Sequence, residues 1–244
     1  MPAVAISAER IAENLDQVQE RIERSAQRSG RSSDSISVVA VTKAWPAELV
    51  RHAHQAGLRR FGENRVAEAQ AKRQLLADLT DAIWDMVGHI QSRKAQSATE
   101  VFDRIHSVDR WKIARLLNQH LPQDRAPLPV LLECNMSGEG SKYGYDMAEP
   151  NLWGQLLPEL EQIAALDRLR VVGLMTMAPW TENEAVIRST FGQLRRLRDW
   201  LSERMPQVEW RELSMGMTDD FEIAIEEGAT ILRIGRALFG DRPS

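Results

Sequence analysis

Lys43 closes an uninterrupted apolar run that begins at Ile36, and seven further strand-like runs downstream also end in reactive or small polar residues. The closing residues are Lys43, Gly62-Glu63-Asn64, Gly88-His89, Ser107 to Asp109, Asn135, Met175 to Met177, Ser214-Met215-Gly216 and Gly235-Arg236. A single lysine in such a set points to carbonyl chemistry, because a neutral primary amine attacks an aldehyde to give an imine. Desolvation and neighbouring cations both disfavour the ammonium form and so favour that chemistry. Glycines at four of the ends offer backbone N–H groups to an anion, and an arginine or histidine nearby can set the electronics of a heteroaromatic ring. Lysine, anion nest and ring partner together suit a ligand with a carbonyl, a phosphate and a ring nitrogen.

For these residues to meet, their strands must be parallel and closed into a ring. The strand-like runs fall at 36–42, 59–61, 83–88, 104–107, 129–135, 170–175, 210–213 and 230–234, and helical patterns separate them. The clearest helix is 186–204, with Ile187, Phe191, Leu194, Leu197 and Leu201 on one face. Connections of this length force parallel strands, and eight of them alternating with helices predict an α/β fold, a single (β/α)8 barrel of the TIM type. Ahead of it, Ser7 caps a helix whose Ile11, Leu15, Val18 and Ile22 recur at helical spacing, with Gly30 placed to end it. The predicted organisation is one domain: residues 1–30 as a helix packed on the barrel, and 31–244 as the barrel.

Composition narrows the partners. The chain has 244 residues, 43% of them apolar, enough for one substantial core. A net charge of −4 with interspersed signs argues against a nucleic-acid surface or a polybasic membrane anchor. Cys134 is the sole cysteine, so there is no intrachain disulfide, and a reducing, cytoplasmic setting is expected. No run approaches the ~20 apolar residues that cross a bilayer, and the amphipathic amino terminus lacks a signal-peptide core. A small-molecule partner and a monomer are the expectation, with neither nucleic acid nor membrane.

Read in order, Val39-Ala40-Val41-Thr42-Lys43, Phe61-Gly62-Glu63-Asn64, Gly88-His89-Ile90-Gln91, Ser107-Val108-Asp109, Asn135 with Lys142-Tyr143-Gly144, Leu213-Ser214-Met215-Gly216-Met217 and Arg233-Ile234-Gly235 form a series of short blocks. In order and spacing the series resembles the pyridoxal phosphate homeostasis proteins, single-domain barrels related to the barrel domain of alanine racemases, of fold type III among pyridoxal-phosphate proteins. The resemblance implies pyridoxal 5′-phosphate as cofactor, carried as a Schiff base on Lys43, and a role in vitamin B6 homeostasis and amino-acid metabolism without robust turnover. It extends to other B6 vitamers as ligands and to apo-enzymes as recipients. The family usually has tyrosine where Arg65 stands and asparagine where Arg93 stands, which adds positive charge at the rim of the pocket.

Candidate cofactor-binding residues follow. Ser214, Gly216 and Gly235 with Arg236 lie after the seventh and eighth strands, where such barrels place phosphate. Asp219 and Glu222 read as a capping box for a helix just beyond. Arg233 resembles the arginine that faces the pyridine nitrogen in racemases, with phosphate pairing or a structural salt bridge as its alternatives. Asn64 and Asn135 are expected to bond the cofactor or else cap turns, and His89 to lie beside the ring or be satisfied within the rim. His52 and His54 read as solvated, Cys134 as a buried hydrophobe, and Met175, Met177, Met215 and Met217 as apolar pocket lining, with no metal site. Two alternatives stay open: a racemase-like enzyme, for which only Tyr143 and Tyr145 could supply the opposing acid, and a cofactor-free aldolase using Lys43 on a sugar phosphate.

Overall fold

The computed structural model describes residues 6–140 and 142–241. Each predicted run became a strand: β1 Ser37–Val41, β2 Arg60–Glu63, β3 Ile83–Met86, β4 Arg104–Val108, β5 Leu128–Asn135, β7 Leu169–Met175, β8 Glu212–Ser214 and β9 Ile231–Ile234. All pair in parallel in the order β4-β3-β2-β1-β9-β8-β7-β5, and a β4–β5 pairing closes the ring into an eight-stranded TIM-type barrel. A two-residue strand not foreseen from the sequence, β6 Tyr145–Asp146, pairs in parallel with Cys134 and Asn135 at the end of β5.

Period-2 alternation divides each strand between two environments. Ala40, Trp84, Ile105, Leu132, Leu174, Leu213 and Leu232 belong to the large cluster shared with the helices. Their neighbours Val39, Leu131, Val172, Met175 and Ile231 form a separate small cluster inside the ring. The same alternation turns Asp85, His106, Glu133, Ser214 and Arg233 inward, all buried. The barrel interior is therefore apolar only in part, and its charged residues must satisfy one another or the ligand.

Helices α2 Ala47–Gln55, α3 Val66–Leu75, α4 Ala95–Val101, α5 Trp111–His120, α6 Trp153–Ala164, α7 Glu184–Arg204, α8 Phe221–Glu226 and α9 Arg236–Phe239 surround the barrel. The leading helix, α1 Ala8–Arg28, starts where its Ser7 hydroxyl accepts the Arg10 N–H at 3.3 Å, and Gly30 follows it at φ +67°. Its buried Ile11, Val18 and Ile22 pack on α2, α8 and α9, and Arg21–Glu222 and Arg28–Glu226 pairs flank the seam, each at 3.0 Å.

Two local expectations are corrected. Asp219 and Glu222 form no capping box: α8 begins after Asp220, whose carboxylate accepts the Met217 N–H at 2.6 Å, while Asp219 pairs with Arg236 and Glu222 with Arg21. His52 and His54 are not simply solvated, since His52 Nδ1 lies 2.9 Å from the Ile6 carbonyl and His54 Nε2 lies 2.6 Å from Asp81.

The turn after β8 depends on Gly216 at φ +94°, where a Cβ would stand 2.7 Å from the Ala224 Cβ and 3.0 Å from the Phe221 Cα. Gly30 has a similar positive φ but open space around it. Gly216→Ala is therefore expected to lower unfolding free energy by about 2–4 kcal/mol, strain and overpacking together, and Gly30→Ala by about 1 kcal/mol. Denaturant unfolding of the two variants measures the difference, and equal losses would contradict the packing account.

Candidate functional site

β1 delivers Lys43 on the turn Thr42-Lys43-Ala44-Trp45, closed by a Trp45 N–H to Thr42 carbonyl bond of 3.1 Å. Ala44 is the one non-glycine residue with positive φ (+65°) among the described residues, a conformation that costs an L-residue on the order of 1 kcal/mol. The compensation comes from α3. Glu68 Oε1 accepts the Ala44 N–H at 2.6 Å, and the buried Lys72 Nζ donates to Glu68 at 2.8 Å, Glu63 Oε1 at 2.6 Å and the Thr42 carbonyl at 2.7 Å. Thr42 Oγ1 adds a 2.6 Å bond to the same Glu63 oxygen. Burial holds the Glu63 carboxyl above its ordinary range although Lys72 is in contact. Sequence reading passed over this clamp: Glu68 and Lys72 are four apart on α3, but Glu63 joins them from the end of β2.

Lys43, half-buried, lines a cavity of about 440 Å³ at the carboxyl ends of the strands, within the size range of ligand pockets. Asn64, His89, Arg233, Gly235 and Arg236 share that wall, as the sequence pattern foresaw, and so do Glu133, Tyr143 and Thr218, which it did not assign there. Met177 and Met217 line the cavity, whereas Met175 and Met215 are core residues.

Arg233 is the cation at the floor. It is 5% exposed; Nη1 donates to Ser214 Oγ at 2.7 Å and Nη2 to the Thr176 carbonyl at 2.8 Å. Burial lowers its pKa to about 10, with Asp220 and Glu133 opposing, so it stays charged at neutral pH. His106 Nδ1 lies 2.9 Å from the same hydroxyl, and burial keeps this imidazole neutral. Its Nε2 is 3.7 Å from Asp85, which is itself forked by Arg60 at 3.0–3.1 Å. A carboxylate facing Nε2 favours the proton there, leaving Nδ1 to accept from the Ser214 hydroxyl.

Ser214 therefore does not line the cavity. It is fully buried, one layer below the rim, because β8 ends on an inward-pointing residue whose hydroxyl Arg233 already occupies. Thr218 is the hydroxyl residue on this side of the cavity wall, and Gly216 shapes the turn between them without lining the cavity. Asn135 is likewise off the wall. Its amide accepts the Ser137 N–H at 3.2 Å and donates to the Glu139 carbonyl at 2.9 Å, shaping the loop that carries Tyr143.

At the mouth, Tyr143 stacks on His89 with ring centroids 3.8 Å apart, and His89 Nδ1 lies 2.9 Å from Asp109 Oδ2. Tyr145 is different: buried, its hydroxyl donates to Glu159 at 2.8 Å and its pKa is pushed up by burial. Arg65 and Lys94 line a neighbouring cavity of about 500 Å³ that shares Asn64 and His89, while Arg93 is exposed and bonds Gln91 at 3.1 Å.

Two buried oxygens on the cavity wall, Asn64 Oδ1 and Glu133 Oε2, have no hydrogen-bond partner. Burial and then Asp109 raise the Glu133 pKa to about 7. Gly235 leaves the wall open where neither backbone nor packing requires it: a Cβ there would meet nothing nearer than the Val41 oxygen at 3.5 Å. Amine, guanidinium, open backbone and orphaned acceptors together suit a small anionic ligand with hydrogen-bond donors and a carbonyl.

A barrel of this topology with a cavity-lining lysine after β1 defines a class, and the family model of the alanine racemase N-terminal domain matches residues 6–243. A pyridoxal phosphate homeostasis protein of Pseudomonas aeruginosa is 44% identical, covering 95% of this chain and 96% of its own. PipY of Synechococcus elongatus, in its structure with PLP bound, superposes with a TM-score of 0.81 at 38% identity, covering 94% of this chain and all of PipY. An alanine racemase of Clostridium difficile shares the fold alone, with a TM-score of 0.75 at 14% identity over 61% of its length. The chain belongs to the pyridoxal phosphate homeostasis protein family.

Two outcomes follow from the buried charges. Lys72→Met leaves Glu63 buried without its cation and should cost about 3–5 kcal/mol, more than Glu68→Gln; thermal unfolding ranks them. Glu133 has a raised folded pKa, about 7 against 4.5, so the folded state binds the extra proton between those values and stability falls as pH rises through them. The loss is on the order of 3 kcal/mol, complete above about pH 7.5, and Glu133→Gln should flatten that part of the stability–pH curve.

Proposed function

We propose that the chain binds pyridoxal 5′-phosphate in the Lys43 cavity as a Schiff base on that lysine, and acts in intracellular vitamin B6 homeostasis and amino-acid metabolism. The observation that carries the reading is the joint placement of Lys43, on a turn clamped from β2 and α3, and of Arg233, fixed and charged, on one cavity wall. The orphaned Asn64 and Glu133 oxygens and the open wall at Gly235 support the fit. When bound, the cofactor supplies an aldehyde that condenses with a primary amine.

The protein's residues then divide the work. Lys43 anchors. Arg233 offers donors to the pyridine nitrogen and, holding its own protons to about pH 10, leaves that nitrogen unprotonated, which weakens the ring as an electron sink and favours carriage over turnover. Gly235, Arg236 and Thr218 receive the phosphate, and Asn64 and His89 border the ring. Ser214 acts through Arg233 by holding its guanidinium, and Asn135 acts through the Tyr143 loop. Other B6 vitamers fit the same wall through the phosphate and ring contacts, and apo-enzymes are the proposed recipients of a monomeric, cytoplasmic carrier. The single buried cysteine supports that setting, and no described helix is long and apolar enough to cross a membrane.

A racemase-like activity is the second reading, and one observation favours it: Tyr143 is half-exposed at the mouth against His89. Tyr145 is excluded as its acid, being tied to Glu159.

Borohydride reduction of protein incubated with pyridoxal phosphate, followed by peptide mass analysis, should place the cofactor on the Lys43 peptide. Lys43→Ala should lose the label and the imine absorbance while keeping its unfolding midpoint. A label that survives in Lys43→Ala would reject the anchor. Racemisation on the order of 1 s⁻¹ or faster, lost in Tyr143→Phe, would instead establish the second reading.

A further inference from the structure

Glu133 is the one cavity-lining carboxyl that is nearly fully buried, at 4% exposed, and its Oε2 has neither a donor nor water access. The binding roles above use it only as an acceptor on the wall. An acid in the interior of an otherwise apolar strand costs free energy unless a ligand or a proton satisfies it. Its Oε2 accepts a hydrogen bond from none of the groups that face it. Arg233 on β9 turns one N–H to Ser214 and one to Thr176, and Asp109 after β4, itself held by Arg110, adds a like charge. Lys43, His89, Asp219 and Arg236 border the same cavity, and Asp219 and Arg236 are paired with each other.

We propose that Glu133 is the proton acceptor for an incoming primary amine, so that the cofactor leaves Lys43 by exchange with small amines within this cavity. The inference rests on the Lys43 anchor reading and names how the bound cofactor is released. The ammonium of the amine gives one proton to the Glu133 carboxylate, and its nitrogen then bonds to the imine carbon. A second proton passes from that nitrogen to the Lys43 nitrogen, the carbon–nitrogen bond to Lys43 breaks as the new imine forms, and Glu133 returns the first proton to the freed Lys43 amine. No electrons are transferred, and no co-reactant is needed. A carboxyl that titrates near pH 7 is matched to this duty, since it is half ionised where an aliphatic amine is almost wholly ammonium.

The experiment uses cofactor-loaded protein with ethylamine as the probe, following loss of the borohydride-fixed label from Lys43 at constant total amine across about pH 6 to 9. If ammonium is deprotonated by Glu133, the exchange rate rises with pH and levels off above about pH 7. If only free amine attacks, the rate climbs about tenfold per pH unit across the range, because the free-base fraction does. Wild type should level off. Glu133→Gln, measured on its loaded fraction, should climb without a plateau and run at least about tenfold slower at neutral pH.

A plateau that persists in Glu133→Gln, or a wild type that climbs without one, overturns the assignment. Should Glu133→Gln not load, the wild-type profile decides together with infrared titration of cofactor-free protein. A protonated-carboxyl band with a midpoint near 7, absent from the variant, supports the proposal, and its absence from wild type sinks it. Wild type that never carries a label on Lys43 would reject the anchor itself, a result separate from any of these.

Discussion

One ammonium group, that of Lys72, holds the site together. It sits 5% exposed between Glu63, Glu68 and the Thr42 carbonyl, and its three hydrogen bonds join the end of β1, the end of β2 and the first turns of α3. A buried ion is tolerated only when its partners are fixed, and a fixed ion fixes them in return. Thr42 and Ala44 are thereby held on either side of Lys43, and Ala44 is kept in a left-handed conformation that an alanine would otherwise leave. The direction of Lys43 is thus set by residues twenty or more positions downstream, on the neighbouring strand and helix.

The second buried cation has a different consequence. Arg233, Ser214, His106 and Asp85 come from four strands and meet inside the barrel because every one is an inward residue in the alternation. The chain fixes the guanidinium plane without neutralising it, so the charge remains available to a ligand at the floor of the cavity. Glu133 faces the same interior without a bond to that guanidinium, and so burial and Asp109 prevail over Arg233 and raise its carboxyl. One interior therefore contains a permanent cation and a carboxyl poised near neutrality, which suits it to hold an anionic cofactor and to exchange a proton beside it.

Strand identities were legible because β-branched apolar runs bounded by polar residues are local signals, and the eight runs map onto the eight barrel strands to within a few residues. α1 was legible for the same reason, through Ser7, its apolar spacing and Gly30. Residues at the rim were legible through the rule that strand carboxyl ends form the functional face. That rule placed Lys43, Asn64, His89, Arg233, Gly235 and Arg236 on one cavity. Ser214 and Asn135 do not line that cavity, because the rule counts the last residue of a strand without knowing which side of the sheet that residue faces or how far the strand reaches. Glu133 carried a usable sign, a lone acid among Leu131, Leu132 and Cys134, which is rare in a buried strand.

By itself, then, the sequence determined the element types, their parallel order and the chemical identity of the rim, since propensity, alternation and caps are properties of neighbours along the chain. Tertiary structure alone decided which hydroxyl meets the cavity, where Asp219 and Glu222 find their partners, and how Lys43 is aimed. Those outcomes depend on pairings across the barrel, such as Ser214 with His106 over 108 positions and Arg21 with Glu222 over 201. Closing the ring brings such residues within bonding distance, and the cost of burying an unsatisfied charge then selects among the partners available.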